Sequence, residues 1–342
     1  MVTNTITVPI MYKDITFLDD VTEATRQKVL NFVKDWNSND EWMKVNTSGS
    51  TGKPKTITLS KKQMKASALA TVSFFQLKPF QSILLALSAD YIAGKMMLIR
   101  AIEHQLKIIV APLTSNPLDL NIGQQIDFSA FVPLQVQTIL ANKRSKANYE
   151  SIKQVIIGGA VINSALEKEL QSLNNNNYAT FGMTETISHI ALRNITKKEA
   201  HYSALPNVKF GVNTNNCLSI HAPLVCDEVL ETNDCIELLS DTQFIWKGRA
   251  DFVINSGGIK LHPEDIEKKI QDILPNHKYY LIGAKDAALG EKLILKIEGD
   301  NSFDLTLLMV NLKNTLTKFE IPKEIKLVNK FKLTNTGKLI RE

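Results

Sequence analysis

The sequence predicts an α/β protein whose main sheet is mostly parallel and covered by helices on both faces. Uninterrupted apolar runs stand at SILLALS (82–88), KIIVAP (107–112) and KQVIIGGA (153–160). Such runs are typical of strands that are buried on both faces. A helical pattern, AGKMMLIRAIEH (93–104), lies between the first two. Strands and helices that alternate in this way favour a parallel sheet.

The chain before residue 82 adds helices and a strand to this arrangement. Residues 22–36 have the spacing of an amphipathic helix, and TITL (56–59) is strand-like. Ser60 precedes a helical pattern and Gln63 follows three residues later, which is typical of a capping box. We therefore expect a second helix that ends near residue 76.

The alternation continues after residue 112. FSAFVP (128–133) predicts a strand, and helical patterns begin at residues 134 and 163. We interpret NNNN (174–177) as a short polar turn. After residue 205 the expected strands are shorter and form a small β-strand region: NVKF, CLSIHA, CIELL and QFIWKG.

A second α/β alternation follows and predicts a small α+β C-terminal domain. Its expected strands are DFVI, YYLIGA, KLILKIE and EIKLV, with helices at 263–273 and 304–317. We place the boundary in WKGRADF (246–252). The expected domains are therefore a large N-terminal domain, residues 1–250, and a C-terminal domain, residues 251–342.

The composition is that of an ordinary globular protein with a mild positive charge. The 342 residues include 40 lysines and arginines and 35 aspartates and glutamates, which gives a formal net charge of +5. The lysines are spread along the chain, which argues against nucleic-acid binding. We expect no membrane span because no apolar run reaches about 18 residues, and the first residues lack the pattern of a signal peptide.

Cysteine usage indicates a reducing compartment. Cys217, Cys226 and Cys235 are odd in number and form no CxxC motif, which argues against a disulfide framework and a zinc site. We expect reduced thiols, partly buried in strands, in a cytoplasmic protein.

A glycine-rich loop lies in NTSGSTGKPKTITLS (46–60). Its small hydroxyl residues, glycines and lysines pack poorly in a core but can surround an anion. The loop does not have Walker A spacing, because Gly49 is only three residues before Gly52 and Pro54 occupies the Ser/Thr position. A solvated turn is the alternative interpretation.

Residues 47–55 resemble the phosphate loop of the adenylate-forming enzymes, a superfamily of acyl-CoA synthetases, luciferases and peptide-synthetase adenylation domains. In that family the loop reads S/T-S/T-G-S/T-T-G-x-P-K, and every position is matched. The resemblance implies a phosphate-binding set made of Thr47, Ser48, Gly49, Ser50, Thr51, Gly52, Lys53 and Lys55.

Further blocks resemble the rest of that family's nucleotide site. Gly158, Gly159 and Ala160 resemble the segment that lines the adenine pocket, although a Gly-Gly pair after a strand is also common in turns. TND (232–234) resembles the family's T-G-D, with Asn233 in place of the glycine. This resemblance implies that Asp234 binds the ribose hydroxyls.

YATFGMTET (178–186) resembles the F/Y-G-x-T-E block. It implies that Phe181 and Gly182 belong to the nucleotide site, that Thr184 contacts the α-phosphate and that Glu185 binds magnesium. A carboxylate is the ligand that a hard cation beside a triphosphate requires. A solvated glutamate is the alternative.

KGRADFVINSGGIKLHPEDIE (247–267) resembles the block that leads into the C-terminal domain. It implies that Arg249 also reaches the ribose, that Asp251 is the hinge of a mobile domain, and that Glu264 and Glu267 belong to the next helix. The residues on the coenzyme A side are then Gly257, Gly258 and Lys260.

TNTGKLIRE (334–342) resembles the C-terminal block of the same family. Lys338 matches the lysine that stabilises charge in the adenylation step, although the family's proline before this block is absent. Only 46 residues precede the phosphate loop, fewer than is usual in the family. We interpret the chain as a compact enzyme because the nucleotide-binding blocks are all retained.

The segment LSADYIAGKMMLIRAIEH (87–104) occupies the position of a substrate block. In o-succinylbenzoate–CoA ligases of menaquinone synthesis this block tends to contain a histidine, a glycine and an arginine. Tyr91 replaces the histidine here, whereas Gly94 and Arg100 match. Arg100 either extends to solvent or pairs with a second carboxylate on the substrate.

The resemblance implies an AMP-forming acyl-CoA ligase that uses ATP, Mg²⁺ and coenzyme A, and the expected enzyme is an o-succinylbenzoate–CoA ligase of menaquinone biosynthesis. A carboxylate would first be converted to an acyl-adenylate with release of pyrophosphate, and the acyl group would then pass to coenzyme A. Alternatives are another acyl- or aryl-CoA ligase, an adenylation domain that loads a carrier protein, and a non-enzymatic ATP-binding module. The sequence leaves a monomer and a homodimer open.

Overall fold

The computed structural model describes residues 15–46, 56–275, 277–299, 304–332 and 340–341. The phosphate-loop residues 47–55 and Lys338 lie outside these ranges, so their roles remain predictions.

The chain forms two compact units. The first extends to Ile162 and also includes Leu166–Lys209 and His221–Leu230. The second consists of Asn163–Ala165, Phe210–Ile220 and the chain from Glu231 onwards.

A sheet forms the centre of the first unit. The strands before residue 205 are β1 (Ile15–Phe17), β2 (Trp42–Asn46), β3 (Thr56–Ser60), β4 (Ser82–Leu85), β5 (Lys107–Val110), β6 (Phe128–Phe131), β7 (Gln154–Ile157), β8 (Asn176–Gly182), β9 (His189–Asn194) and β10 (Tyr202–Ala204). Within this unit the spatial order is β1-β5-β4-β6-β7-β8-β9-β10, whereas β2 and β3 form a separate antiparallel pair.

The sheet is mostly parallel, as the apolar runs predict. Each neighbouring pair from β1 to β8 in the spatial order is parallel, and β9 and β10 are added antiparallel. All residues of β4 and β6 are buried, which is the behaviour of strands covered on both faces.

Helices connect these strands. They are α1 (Glu23–Trp36), α2 (Lys61–Phe75), α3 (Ile92–His104), α4 (Pro133–Leu140), α5 (Lys143–Ser151) and α6 (Ser164–Gln171). Helix α3 is buried without interruption over residues 96–102, because it is apolar around most of its circumference. None of the helices in the described part of the chain has the length and apolar composition that a bilayer crossing requires.

The parallel topology brings three predicted site segments to one edge of the sheet. Parallel strands have their carboxyl ends at the same edge, where α/β proteins usually bind ligands. Residues 87–94 follow β4, residues 158–160 follow β7, and residues 184–185 follow β8.

The elements after residue 205 include strands that are longer than β4 to β7, which contradicts the prediction of shorter strands: Leu230–Ser240 has 11 residues and Gly290–Glu298 has 9, whereas β4, β5, β6 and β7 have 4 each. The elements of this region are β11 (Lys209–Val212), β12 (Cys217–His221), β13 (Leu230–Ser240), β14 (Gln243–Arg249), β15 (Ile254–Ser256), β16 (Ile259–Leu261), α7 (Pro263–Ile270), β17 (Tyr279–Asp286), β18 (Gly290–Glu298), α8 (Leu305–Thr315) and β19 (Glu324–Val328). Strands β14-β13-β12-β11 are neighbours in this order.

A second sheet has the order β16-β15-β18-β17, with β19 parallel to β18. Ile266 and Ile270 of α7 and Leu308 and Leu312 of α8 are buried in one apolar cluster with residues of this sheet, such as Leu295. Burial of these side chains stabilises the α+β arrangement.

The predicted capping box at α2 is wrong. Ser60 is the N-cap residue, but its side chain makes no capping hydrogen bond. It is also the last residue of β3, where it pairs with Trp42. The Gln63 side-chain amide donates to Asp227 Oδ1 at 3.1 Å, a charge-assisted hydrogen bond to a residue outside the helix.

The run of four asparagines is only partly the turn that was expected. Asn176 and Asn177 begin β8, and Asn175 and Asn177 are buried. Asn177 Oδ1 accepts a hydrogen bond from the Tyr149 hydroxyl at 2.6 Å, and Asn177 Nδ2 donates to Asn175 Oδ1 at 2.8 Å. Buried amides are stable when they are paired in this way.

The three cysteines are free and buried. Cys217 and Cys235 lie in β12 and β13, as expected, whereas Cys226 follows β12 outside a strand.

Candidate functional site

The glycine pair after β7 presents backbone at the sheet edge. Gly158 N donates to Phe131 O at 3.1 Å. A Cβ at Gly158 would lie 2.1 Å from Thr180 Oγ1, so a side chain there would force the Thr180 side chain on β8 to move. Gly159 has a φ of +84° and is exposed, as is Ala160. A segment of this kind permits close approach of a ligand to the main chain.

Phe181 lies beside this segment on β8 and packs against Tyr202 of β10, with ring centroids 5.7 Å apart. Arg193 extends over the Tyr202 ring and forms two hydrogen bonds to the Glu167 carboxylate, at 2.6 and 2.8 Å. The sequence did not identify Tyr202, Arg193 or Glu167, because no motif joins these distant positions.

The turn after β8 holds the predicted phosphate and magnesium residues. Glu185 is exposed, and its carboxylate forms no hydrogen bond or ion pair within the described ranges. The Thr184 hydroxyl is equally without a described partner. Buried Thr186 holds the turn, because its Oγ1 accepts from Met183 N at 3.0 Å and lies 2.8 Å from Ser188 O. Both predicted side chains are thus available to a ligand.

Glu185 fits a magnesium site of a particular kind. In the part of the chain that the structure describes, no group of three or more His, Cys, Asp or Glu side chains is arranged to hold a metal ion. Mg²⁺ is often held by one or two carboxylates together with phosphate oxygens and waters. A single free carboxylate at the sheet edge therefore suits a cation that arrives with a nucleotide.

Arg100 is a buried cation without a buried anion. Its side chain is 2% exposed, which excludes the interpretation that it extends to solvent. Nη2 donates to Ser188 Oγ at 3.0 Å and Nη1 to Met97 Sδ at 3.6 Å. The buried Nε has no partner, and no carboxylate pairs with Arg100 among the described residues. Burial lowers the pKa of Arg100 to about 9.

Gly94 has a packing role on the same helix. A Cβ at Gly94 would lie 2.2 Å from Ser88 O, so the glycine lets α3 contact the main chain that follows β4. Tyr91 is the N-cap residue of α3 and is 48% exposed. Tyr91 and Arg100 are nine residues apart, about 13 Å along the helix axis, so the structure does not bring them together.

In the second unit, the two predicted ribose-binding residues lie opposite each other on β13 and β14. Asp234 pairs with Arg249 in the strand register, and Arg249 Nη1 lies 4.0 Å from Asp234 Oδ2. Trp246 Nε1 donates to Asp234 Oδ1 at 2.9 Å, and the Asp234 amide donates to Thr232 Oγ1 at 3.1 Å. The indole fixes the carboxylate, a contact that the sequence did not reveal.

The predicted hinge residue accepts hydrogen bonds from Arg249 in its own sequence block and from Asn233 in the TND block. Asp251 lies in a 3-10 turn, Ala250–Phe252, and its Oδ2 accepts from Arg249 Nη2 at 2.9 Å. Asn233, which stands where the family has glycine, donates to Asp251 Oδ1 at 3.3 Å. The hydrogen bond that Arg249 donates to Asp251 raises the pKa of Arg249.

The residues predicted to face coenzyme A form the β15–β16 hairpin. Gly257 and Gly258 make its two-residue turn, with φ values of +59° and +83°. Such a turn favours glycine at both positions. Lys260 is exposed on β16. Glu264 and Glu267 lie on α7, as expected.

A comparison with protein-family models identifies the family to which the chain belongs. The model of the AMP-binding enzyme family matches residues 5–213 of the chain. The chain belongs to the AMP-binding enzyme family. The sequence resemblance to adenylate-forming enzymes is thereby confirmed.

Relatives from several bacteria have the name 2-succinylbenzoate–CoA ligase. The protein from Lactococcus lactis is 23% identical over 367 residues, which cover 96% of this chain and 79% of that protein. The protein from Listeria monocytogenes is 23% identical over 319 residues, 86% of this chain and 68% of its own length.

Solved structures of family members confirm the fold. An acyl-CoA synthetase (AMP-forming)/AMP-acid ligase II-like protein from Dyadobacter fermentans is 34% identical with a TM-score of 0.67, covering 93% of this chain and 92% of that chain. The o-succinylbenzoate CoA synthetase from Bacillus subtilis has a TM-score of 0.71 at 18% identity. The match covers 86% of this chain and 67% of that chain.

Proposed function

We propose that the protein is an AMP-forming acid–thiol ligase whose carboxylic acid substrate has a second carboxylate, with o-succinylbenzoate as the first candidate. Family membership and the names of the relatives support the reaction class. The proposal identifies ATP, Mg²⁺ and coenzyme A as the other reactants.

The single observation that supports a second carboxylate is the state of Arg100. Burying a cation without an anion is costly, and its guanidinium still has an unpaired Nε–H. A carboxylate in contact with Arg100 would supply the missing anion and form charge-assisted hydrogen bonds. A substrate with one carboxylate cannot place that group at the reacting phosphate and at Arg100 together.

The first half-reaction forms a mixed anhydride. An oxygen of the reacting carboxylate attacks the α-phosphorus of ATP, the bond to the β-phosphate oxygen breaks, and pyrophosphate leaves. Thr184 would donate to the α-phosphate and Glu185 would hold Mg²⁺, which neutralises negative charge on the phosphates. Asp234 and Arg249 would position the ribose.

The second half-reaction transfers the acyl group to a thiol. The coenzyme A thiolate attacks the acyl carbon and AMP leaves with its phosphate oxygen. We propose that residues 251–342 reorient about Asp251 between the two steps, so that Lys338 acts only in the first. On the thiol side we propose Gly257, Gly258 and Lys260, because they form an exposed hairpin turn and an exposed cation.

Location and acceptor complete the proposal. Three free, buried cysteines fit a reducing compartment, and we extend the proposal to a cytoplasmic enzyme. A carrier-protein thiol is the alternative acceptor.

The test is pyrophosphate release and thioester formation across a panel of carboxylates. We expect o-succinylbenzoate to be preferred over benzoate, and we expect its coenzyme A thioester only when coenzyme A is present. Equal rates for the two acids would refute the second-carboxylate assignment. Adenylate that accumulates without transfer to coenzyme A would favour a carrier-protein acceptor.

A further inference from the structure

A chain of polar groups, all buried except the half-buried Ser188, leads away from Arg100 into the core of the first unit. Arg100 Nη2 donates to Ser188 Oγ at 3.0 Å. Ser188 Oγ lies 3.3 Å from His189 Nδ1, and His189 Nε2 lies 3.2 Å from Thr71 Oγ1. The Thr71 hydroxyl in turn donates to Ser67 O at 3.2 Å. The reaction proposed above uses neither His189 nor Thr71.

The hydrogen bond from Thr71 to Ser67 O indicates the direction of the other hydrogen bonds in the chain. A hydroxyl has one proton, and Thr71 donates its proton to a carbonyl that only accepts. With the Thr71 proton on the Ser67 carbonyl, Thr71 Oγ1 accepts from His189, and this arrangement places the ring proton on Nε2. Burial, and secondarily the charge of Arg100, lower the pKa of His189 well below its ordinary value, so the ring is neutral.

A neutral ring with its proton on Nε2 determines the orientation of the serine. His189 Nδ1 is then an acceptor, and the Ser188 hydroxyl donates to it. The lone pairs of Ser188 Oγ remain for Arg100 Nη2. In the opposite tautomer Nδ1–H would donate to Ser188 Oγ, which would then accept from both His189 and Arg100, and the serine proton would no longer point to His189.

The backbone around Ser188 is strained and tightly packed. Ile187 has a φ of +67°, which is a genuine outlier for a β-branched residue. A Cβ at Gly182 would lie 2.5 Å from both Ser188 O and His189 Cα, so only glycine lets β8 pass this segment. Strain of this kind persists where the surroundings fix a functional geometry.

We propose that His189 and Thr71 are positioning residues for Arg100, and this inference rests on the proposed function. Through the Ser188 hydroxyl they hold the guanidinium in the orientation that leaves Nε–H for the second carboxylate of the substrate. They touch no substrate themselves.

The first test is the tautomer of His189 in the unliganded protein. The protein is labelled with ¹⁵N-histidine, and the signal of His189 among the six histidines is identified by its loss in His189→Gln. Nitrogen chemical shifts distinguish protonated from unprotonated ring nitrogens. We expect a neutral ring at pH 7 with the proton on Nε2. A proton on Nδ1, or a charged ring, would overturn the inference.

The second test compares Thr71→Val with Thr71→Ser, which retains the hydroxyl. Valine has the shape of threonine but cannot accept from His189 Nε2–H. We expect Thr71→Val to raise KM for o-succinylbenzoate about 3-fold to 10-fold, the range of one ordinary hydrogen bond. KM for ATP, and KM for an analogue whose side-chain carboxylate is replaced by a methyl group, should stay at the parent values. Thr71→Ser should retain the parent KM for all three.

The outcomes separate this inference from the proposed function. Equal changes for all three reactants, or no change for o-succinylbenzoate, would refute the positioning role. If the parent enzyme does not distinguish o-succinylbenzoate from the methyl analogue, the proposed function is refuted. The tautomer measurement then still tests the hydrogen-bond chain from Arg100 to Thr71 by itself. If Thr71→Val does not fold, the tautomer of His189 in the parent protein decides the inference.

Discussion

Replacing Arg100 by methionine should remove substrate recognition and stabilise the protein at the same time. Methionine fills a similar volume and has a flexible side chain that adapts to irregular space. The substitution removes a buried cation that has no anionic partner within the described residues. If Arg100 binds a ligand, the substitution lowers activity and raises stability. If Arg100 has a structural role, the substitution lowers both.

The loss of recognition follows from the burial of the side chain. Losing one partner of a desolvated charge pair typically costs about 2–4 kcal/mol. At 1.4 kcal/mol for each factor of ten, kcat/KM for o-succinylbenzoate should fall by roughly 30-fold to 700-fold. KM for ATP should barely change, because Arg100 contacts Ser188 and Met97 rather than a predicted nucleotide residue.

The gain in stability follows from the same burial. A pKa lowered from 12.5 to about 9, at about 1.4 kcal/mol per tenfold change, corresponds to a charge penalty on the order of 5 kcal/mol. Because the surrounding protein relaxes around the charge, the substitution regains only part of this penalty as stability. Replacement of buried ions by apolar side chains commonly stabilises a protein by about 1–4 kcal/mol. For domains of 150–250 residues this is a rise in Tm of at least about 2 °C.

The assay combines thermal unfolding without ligand and steady-state kinetics on Arg100→Met. The matched control is Arg193→Met, since Arg193 pairs with Glu167 at 2.6 Å and its removal leaves a carboxylate without its partner. Arg193→Met should lower Tm. A lower Tm for Arg100→Met, with equal losses for ATP and the acid, would refute the reasoning and assign Arg100 a structural role.

Three further predictions concern other residues. Trp246→Phe frees Asp234 Oδ1 and should raise KM for ATP about 3-fold to 10-fold, measured at saturating acid, with KM for the acid unchanged. Burial raises the pKa of Glu264, so the native state binds its proton more tightly than the unfolded chain, and the free energy of unfolding should fall as pH rises from about 4.5 through the raised pKa. Glu264→Gln should make this slope shallower in denaturation series, while Glu267, whose pKa burial also raises, retains its own contribution. Lys338→Ala should slow adenylation by about 10²–10³-fold in single-turnover assays, yet convert supplied acyl-adenylate to thioester at nearly the parent rate.

The sequence was sufficient for the elements that depend on local pattern. The apolar runs at β4, β5 and β7 predict buried parallel strands, and parallel pairing alone places residues 158–160 and 184–185 at one sheet edge. The sequence left the state of Arg100 open, because its position on a mostly apolar helix does not reveal which face is covered.

Contacts that depend on packing between distant elements were not predictable. The indole of Trp246 reaches Asp234 because of the register between β13 and β14. Thr71 meets His189 across 118 positions of the chain, and neither belongs to a motif. The burial of Asn177 likewise depends on Tyr149, a residue of the unpredicted helix α5.

The most direct test of the reaction follows the oxygen atoms of the substrate. o-Succinylbenzoate labelled with ¹⁸O in both carboxylates is incubated with ATP, Mg²⁺ and coenzyme A, and the products are analysed by mass spectrometry. Attack of the carboxylate on the α-phosphorus predicts AMP that contains one ¹⁸O atom, unlabelled pyrophosphate and a coenzyme A thioester that has lost one label. Unlabelled AMP, or ADP with labelled inorganic phosphate, would contradict the proposed mechanism.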